Sequence, residues 1–167
     1  MCSCTLVFAT SLLLGQAETP SPTNRHLKEM ECFVGDWIFE GQTPSGRKYV
    51  LKISTEWALG GSFQKVDYRV AIDDRTAVKI NEIRGWDPVT KRIKVWMFRS
   101  TGGHGEGFLS REGNAWVLKE TTLMPDGSKT SSTVTSTFAD KDMYVVEIDS
   151  GQKGPMRFKL KRRDLSK

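Results

Sequence analysis

Beyond residue 36, most of the chain alternates between apolar and polar residues with the period of two that is typical of β-strands. The pattern is clearest at residues 49–57, where Tyr49, Leu51 and Ile53 share one face of a predicted strand. About ten strands of this kind are predicted, at residues 37–41, 49–57, 65–72, 78–86, 93–101, 105–111, 116–124, 129–138, 143–149 and 156–162.

The connections between these segments are short and rich in turn-forming residues. Pro44-Ser45-Gly46, Asp87-Pro88 and Pro125-Asp126-Gly127 are examples. Such short turns require antiparallel neighbours, and a long series of antiparallel strands usually curls until its edges close. The pattern therefore predicts an all-β protein, an antiparallel up-and-down barrel of about ten strands, with a two-sheet sandwich as the alternative.

One helix is predicted, before the first strand. Leu27, Met30 and Val34 recur at helical spacing between residues 24 and 34, and Gly35 is placed to end the helix. We expect this N-terminal helix to lie at the barrel mouth.

The first residues have the pattern of a targeting segment. An apolar run at residues 6–14 precedes Gly15-Gln16-Ala17, which suits signal-peptidase cleavage after Ala17. The run is shorter than the 18 or so residues of a membrane-spanning helix. We expect a signal peptide at 1–17, a linker at 18–23 and a barrel domain at 24–164, with the protein exported to the periplasm or secreted.

The composition of the chain limits the classes of partner and cofactor that we expect. The net charge is +5, but acidic and basic residues alternate along the chain, so we expect no nucleic-acid partner and no membrane span. Cleavage would leave Cys32 as a single thiol without a disulfide, and it is interpreted as a small buried side chain. With two histidines and no paired cysteines, the sequence predicts no metal site and no cofactor.

Two blocks of sequence resemble known families. Gly35-Asp36-Trp37 after a helix is similar to the opening of calycin-type barrels, such as lipocalins and nitrobindin-like proteins. The block at 85–107, together with Trp116-Val117 and residues 124–127, resembles a group of exported bacterial domains of unknown function, which occur alone or behind a SnoaL-like domain. The resemblance extends over most of residues 28–162 and implies a fold without an activity. Nitrobindin-like proteins bind haem through a histidine near the C-terminus, and the last sixty residues here contain no histidine, so haem is not expected.

Charged residues in the strand at 78–86 give the best candidate for a pocket. If Val78, Ile80 and Trp86 face inward, the same alternation turns Glu82 and Arg84 inward. Buried charges need partners, so the two would pair with each other or with a ligand. The alternative, in which Ile83 faces inward and both charges are solvated, stays open.

Three further segments are ambiguous. The glycines at 102–107 fit a hairpin better than a phosphate-binding loop, because the segment that follows them is a predicted strand and not a helix. The hydroxyl-rich strand at 129–137 would either lie on the surface or give the barrel a partly polar lining. The strand at 93–99 is apolar on both faces, with Val95 and Met97 on one face and Trp96 and Phe98 on the other. One of these faces must therefore be covered by the helix, by a partner subunit or by a ligand.

The function predicted from these patterns and from the fold is non-catalytic binding of a small, partly apolar ligand in the barrel mouth. The residues expected to bind it are Trp37, Glu82, Arg84, Trp86, Trp96 and His104; none is assigned as catalytic.

Two alternatives remain open. The first is a small-barrel enzyme, a cyclase, isomerase or hydrolase, that uses Glu82, Arg84, His104 and Glu106. The second is a structural or interaction module that forms a homodimer through the strand at 93–99.

Overall fold

The computed structural model describes residues 25–151 and 154–163, which form a closed barrel of ten antiparallel strands. The strands are β1 (Gly35–Gln42), β2 (Lys48–Ala58), β3 (Phe63–Ile72), β4 (Arg75–Asp87), β5 (Arg92–Arg99), β6 (His104–Glu112), β7 (Ala115–Leu123), β8 (Lys129–Asp140), β9 (Met143–Asp149) and β10 (Met156–Arg162). Each strand pairs with its neighbours in sequence, and β1 closes the barrel against β10. The all-β barrel is confirmed, and the sandwich alternative is wrong. The expected signal peptide and linker lie outside the described residues.

The alternation along each strand becomes an inner and an outer face. On β5, Ile93, Val95 and Met97 are buried inside, while the positions between them are half-buried or exposed. The turns of this meander lie at the two ends of the barrel. The hairpins β1–β2, β3–β4, β5–β6, β7–β8 and β9–β10 turn at one end, here called the mouth, and the remaining hairpins turn at the other end, here called the floor.

The predicted helix is shorter than expected and of a different type. It is a 3₁₀ helix at Lys28–Phe33, and Asn24 lies outside the described residues. The buried residues are Leu27, Met30 and Phe33, spaced by exactly three positions, and this spacing places side chains on one side of a 3₁₀ helix. The helix packs into the floor of the barrel, at the end opposite the mouth where we expected it, and it does not lie over the outer face.

Gly35 joins this helix to the barrel in a conformation that favours glycine. Its φ is +121°, and a Cβ atom there would collide with Nη1 of Arg162. The Arg162 guanidinium lies 4.1 Å from the centre of the Trp37 ring and donates hydrogen bonds to the carbonyl oxygens of Val34, at 2.7 Å, and Lys141, at 2.9 Å. Trp37 in turn donates its Nε1–H to the carbonyl of Phe33, at 2.8 Å. These contacts join the helix, β1 and β10 at the floor. They explain why glycine and tryptophan occupy positions 35 and 37.

The glycine-rich block at 102–107 is a hairpin turn followed by β6. Gly102 takes the left-handed conformation with a φ of +89°, and β6 begins at His104. A Cβ atom on Gly105 would lie 2.8 Å from the carbonyl oxygen of Thr121, and one on Gly107 would collide with the carbonyl of Lys119. Glycine is therefore required where β6 crowds against β7.

Among the described residues, none of the helices has the length and apolar character needed to cross a lipid bilayer.

Candidate functional site

A cavity of about 500 Å³ occupies the barrel interior between floor and mouth. Phe33 of the 3₁₀ helix lies at its floor, and Met124 and Met156 lie near its mouth. Its wall carries inward-facing side chains from the nine strands β2 to β10. Most of these side chains are apolar, but several charged groups lie among them.

Glu82 and Arg84 both face this cavity. Their side chains are 3% and 8% exposed, and Nε of Arg84 donates to Oε1 of Glu82 at 2.5 Å. The alternation in β4 is continuous through these positions, because the irregularity in its pairing with β3 lies at Val70/Ala71, nearer the mouth. The inward interpretation is therefore the one that the structure shows.

Tyr68 completes a network with this ion pair. Its hydroxyl donates to Oε2 of Glu82 at 3.1 Å and accepts from Nη2 of Arg84 at 3.1 Å. The Arg84 guanidinium also lies 4.8 Å from the centre of the Phe33 ring. Burial, and then the negative charge of Glu82, raise the pKa of Tyr68 well above its ordinary value of 10, so this hydroxyl stays protonated. Burial works to lower the pKa of Arg84, but the Glu82 carboxylate together with Tyr68 and Tyr144 more than offsets it, so the pKa is raised.

Glu120 is a second buried carboxylate, which the sequence analysis missed. It is 8% exposed, and its Oε1 accepts from the Ser132 hydroxyl at 2.8 Å. Burial raises the pKa of Glu120 above its ordinary value of 4.5, and the charge of Glu82 acts in the same direction. The signal was available in the sequence, because Trp116, Leu118 and Glu120 alternate on one face of β7 just as Ile80, Glu82 and Arg84 do on β4.

Three polar atoms around the cavity lack a hydrogen-bond partner among the described residues. They are Nη1 of Arg84, Nε of Arg99 and Oε2 of Glu120, and all three are shielded from bulk water. An unpartnered buried polar atom costs about 1–3 kcal/mol unless a water or a ligand satisfies it. Two donors and one acceptor therefore face a cavity large enough for a small molecule.

The other predicted ligand-binding residues lie elsewhere. Trp37 is buried at the floor, where its ring packs edge-on against Tyr144 with centres 4.7 Å apart. Trp86 is half-buried and stacks on His26 at 3.9 Å, also at the floor end of β4. Trp96 and His104 occupy outward positions of β5 and β6, opposite the face that carries Val95 and Met97. Of the six residues, the structure brings only Glu82 and Arg84 together at the cavity wall.

The four residues of the enzyme alternative are divided by the barrel wall. Glu82 and Arg84 face inward, whereas His104 is exposed outside and Glu106 pairs with Lys94 at 2.9 Å on the outer surface. They cannot act on one substrate together.

The two ambiguous strands are also resolved. On β5, Val95 and Met97 are buried inside, so the additional apolar face is the outer one, with Trp96 half-buried and Phe98 56% exposed. The 3₁₀ helix does not cover it. On β8, Ser132 and Ser136 face the cavity, which gives the barrel a partly polar lining.

Within residues 25–151 and 154–163, no group of three or more histidine, cysteine or acidic side chains is arranged to hold a metal ion.

The closed antiparallel meander, with its N-terminal 3₁₀ helix and internal cavity, fits the calycin-like class of barrel fold. Consistent with this class, the structure is similar to the crystal structure of Rv2717c from M. tuberculosis, with a TM-score of 0.56, 12% sequence identity, and coverage of 86% of this chain and 100% of that one. At this identity the similarity shows the fold alone. No family model and no curated protein matches the chain.

Proposed function

We propose that this protein binds a small, partly apolar ligand inside its barrel, without catalysis. The observation that carries the proposal is the internal cavity of about 500 Å³, a size typical of ligand pockets, whose wall combines apolar side chains with unpartnered buried polar atoms. Apolar lining supplies affinity, and a few fixed polar groups supply orientation.

Binding is favoured over catalysis by the composition of the cavity. The charged groups of the Tyr68–Glu82–Arg84 network are held by one another, and among the described residues no histidine lines the cavity. Two further proposals are separate from ligand binding. One is export through a signal peptide at residues 1–17, and the other is dimerisation through β5. The export segment lies outside the described residues, and the dimer would use the outer face around Trp96 and Phe98.

A matched pair of neighbouring residues tests the binding proposal. Val146 lines the cavity, and Val145 lies on the opposite face of the same strand. We expect N-phenyl-1-naphthylamine, an apolar dye that fluoresces when it leaves water, to bind the unmodified protein. Val146→Trp should fill part of the cavity and weaken binding at least about tenfold, whereas Val145→Trp should leave it unchanged.

Circular dichroism establishes that both variants are folded, and Ile148→Phe, nearer the mouth, serves as a second blocking variant. Absence of dye binding, or equal binding by the inner and outer variants, would remove the proposal. If the dye binds as expected, native mass spectrometry of the protein purified from its own host would identify a retained ligand.

A further inference from the structure

The cavity wall is polar along one side and apolar along the other. Going around the barrel from β4 to β8, the inward side chains include two carboxylates, two guanidinium groups and several hydroxyls. These are Glu82, Arg84, Arg99, Glu120, Thr122 and Ser132. The cavity-lining side chains of β9, β10, β2 and β3, which form the opposite half, are apolar or aromatic, and the Tyr68 hydroxyl of β3, bonded to Glu82 and Arg84, lies at the border with the polar side.

The polar side extends along the length of the cavity instead of forming one polar end. Arg84 lies beside Phe33 at the floor, and Arg99 pairs in register with Ile80, four residues nearer the mouth on β4. At the strand rise of about 3.4 Å per residue, Arg84 and Ile80 are about 14 Å apart along β4. Glu120 is on β7, three strands from Arg84 around the barrel.

The unpartnered atoms are spread in the same way. Nη1 of Arg84 is near the floor, Oε2 of Glu120 is on the β7 wall, and Nε of Arg99 is towards the mouth. A molecule with one polar head and one long apolar tail has no groups to satisfy atoms that are so far apart. A molecule with polar groups along one edge reaches several of them.

The apolar side contains an aromatic surface. Tyr49 and Phe158 stack with ring centres 5.8 Å apart and an angle of 19° between their planes, and both line the cavity. Flat hydrocarbon rings pack well against such a surface.

We propose that the ligand is a facially amphipathic ring compound, with a rigid, largely hydrocarbon framework and hydroxyl or keto groups along one face. Its apolar face lies against β9, β10, β2 and β3, and its polar face meets Arg84, Glu120 and Arg99. This inference rests on the proposed binding function and specifies the chemistry of the ligand.

Three defined molecules test it, each below its micelle concentration, by displacement of N-phenyl-1-naphthylamine from the full chain. Cholate carries three hydroxyls on one face of its ring system, lithocholate has the same rings and carboxylate with a single hydroxyl, and oleate has one polar head and a flexible tail. We expect cholate to bind at least about tenfold more tightly than lithocholate or oleate, although it is the most water-soluble of the three.

Two neighbouring threonines supply matched variants. Thr122 faces the cavity and is 5% exposed, whereas Thr121 lies on the outer face of β7. Thr122→Val and Glu120→Leu should weaken cholate binding about tenfold and change lithocholate binding less than twofold. Thr121→Val should change neither.

Each outcome decides one of the two proposals. If oleate or lithocholate binds as tightly as cholate, or cholate does not bind at all, the ring-compound inference is overturned. The binding function still stands in that case if the dye binds the unmodified protein and Val146→Trp weakens its binding. If the dye itself does not bind, the binding function fails first.

Discussion

The Glu82–Arg84 pair is the most strongly buried ion pair among the described residues, and its energy depends on both partners being present. Removing one partner leaves an uncompensated charge in the barrel, which typically costs about 3–5 kcal/mol. We expect Arg84→Met to lower the free energy of unfolding by this amount, and the double variant Glu82→Leu/Arg84→Met to recover most of it. Urea denaturation of the single and double variants measures the coupling.

The exposed Lys65–Glu56 pair, at 3.2 Å, is the matched comparison, and its removal should cost less than about 1 kcal/mol. Equal losses for the buried and exposed pairs would contradict the role assigned to burial.

Glu120 makes stability depend on pH in a direction opposite to that of most carboxylates. Its folded pKa is raised above the ordinary 4.5, so the stability linked to its protonation is complete below pH 4.5 and is lost as the pH rises through the folded pKa. Glu120→Gln removes this loss and can still accept a hydrogen bond from Ser132. We therefore expect the variant to have a higher Tm than the unmodified protein at pH 7, with a smaller gain at pH 4.

Thermal unfolding at the two pH values checks this prediction, with Glu147→Gln on the exposed face of β9 as the control. A gain of the same size at both pH values would show that the charge of Glu120 is not its cause.

At the residue scale, alternation leaves two possibilities for the charged part of the site. In one phase of β4 Glu82 and Arg84 face inward and in the other they are solvated, and the structure shows the inward phase. On β6, the inward positions include Gly105 and Gly107, which have no side chain to mark the inner face. The outward direction of His104 therefore could not be predicted from its neighbours.

At the scale of elements, Arg162 is the residue on which closure of the barrel depends. The register between β1 and β10 contains two residue pairs, Trp37 with Arg162 and Ile38 with Lys161, so this seam is short. Arg162 reinforces it through its bonds to Val34 and Lys141, and charged hydrogen bonds of this kind contribute about 1.5–3 kcal/mol each. We expect Arg162→Ala to destabilise the protein and to increase hydrogen exchange first in β1 and β10.

Hydrogen exchange followed by mass spectrometry resolves these strands from the rest, and Lys161→Ala, whose side chain is exposed, is the control. Uniform loss of protection in all ten strands would argue against a local role for Arg162.

The type of the N-terminal helix illustrates what an element's sequence leaves undetermined. Over ten residues, a spacing of three and a spacing of 3.6 select almost the same apolar positions, Leu27 and Met30 in both cases. The geometry is decided by tertiary contacts, because Phe33 fits among Trp116, Phe138 and Tyr144 at the floor.

At the scale of the whole molecule, the fold could be predicted because every strand but one pairs with its successor through a short turn, which is information local in sequence. The cavity could not, because its volume depends on how side chains from nine strands fill a shared space. Glu120 is an example: its depth in the barrel depends on the register of β6 and β7, which alternation alone does not fix.

The short seam between β1 and β10 has a kinetic consequence. All other strand pairs are formed by adjacent hairpins, whereas the seam joins Trp37 to Arg162 across almost the whole domain. Because loop-closure entropy must be overcome before such a distant contact forms, the meander can assemble hairpin by hairpin while the ring is still open. We expect the closing of this ring to be the last step of folding and its opening to be the first step of unfolding, so that the lifetime of the native barrel depends on its shortest strand pairing.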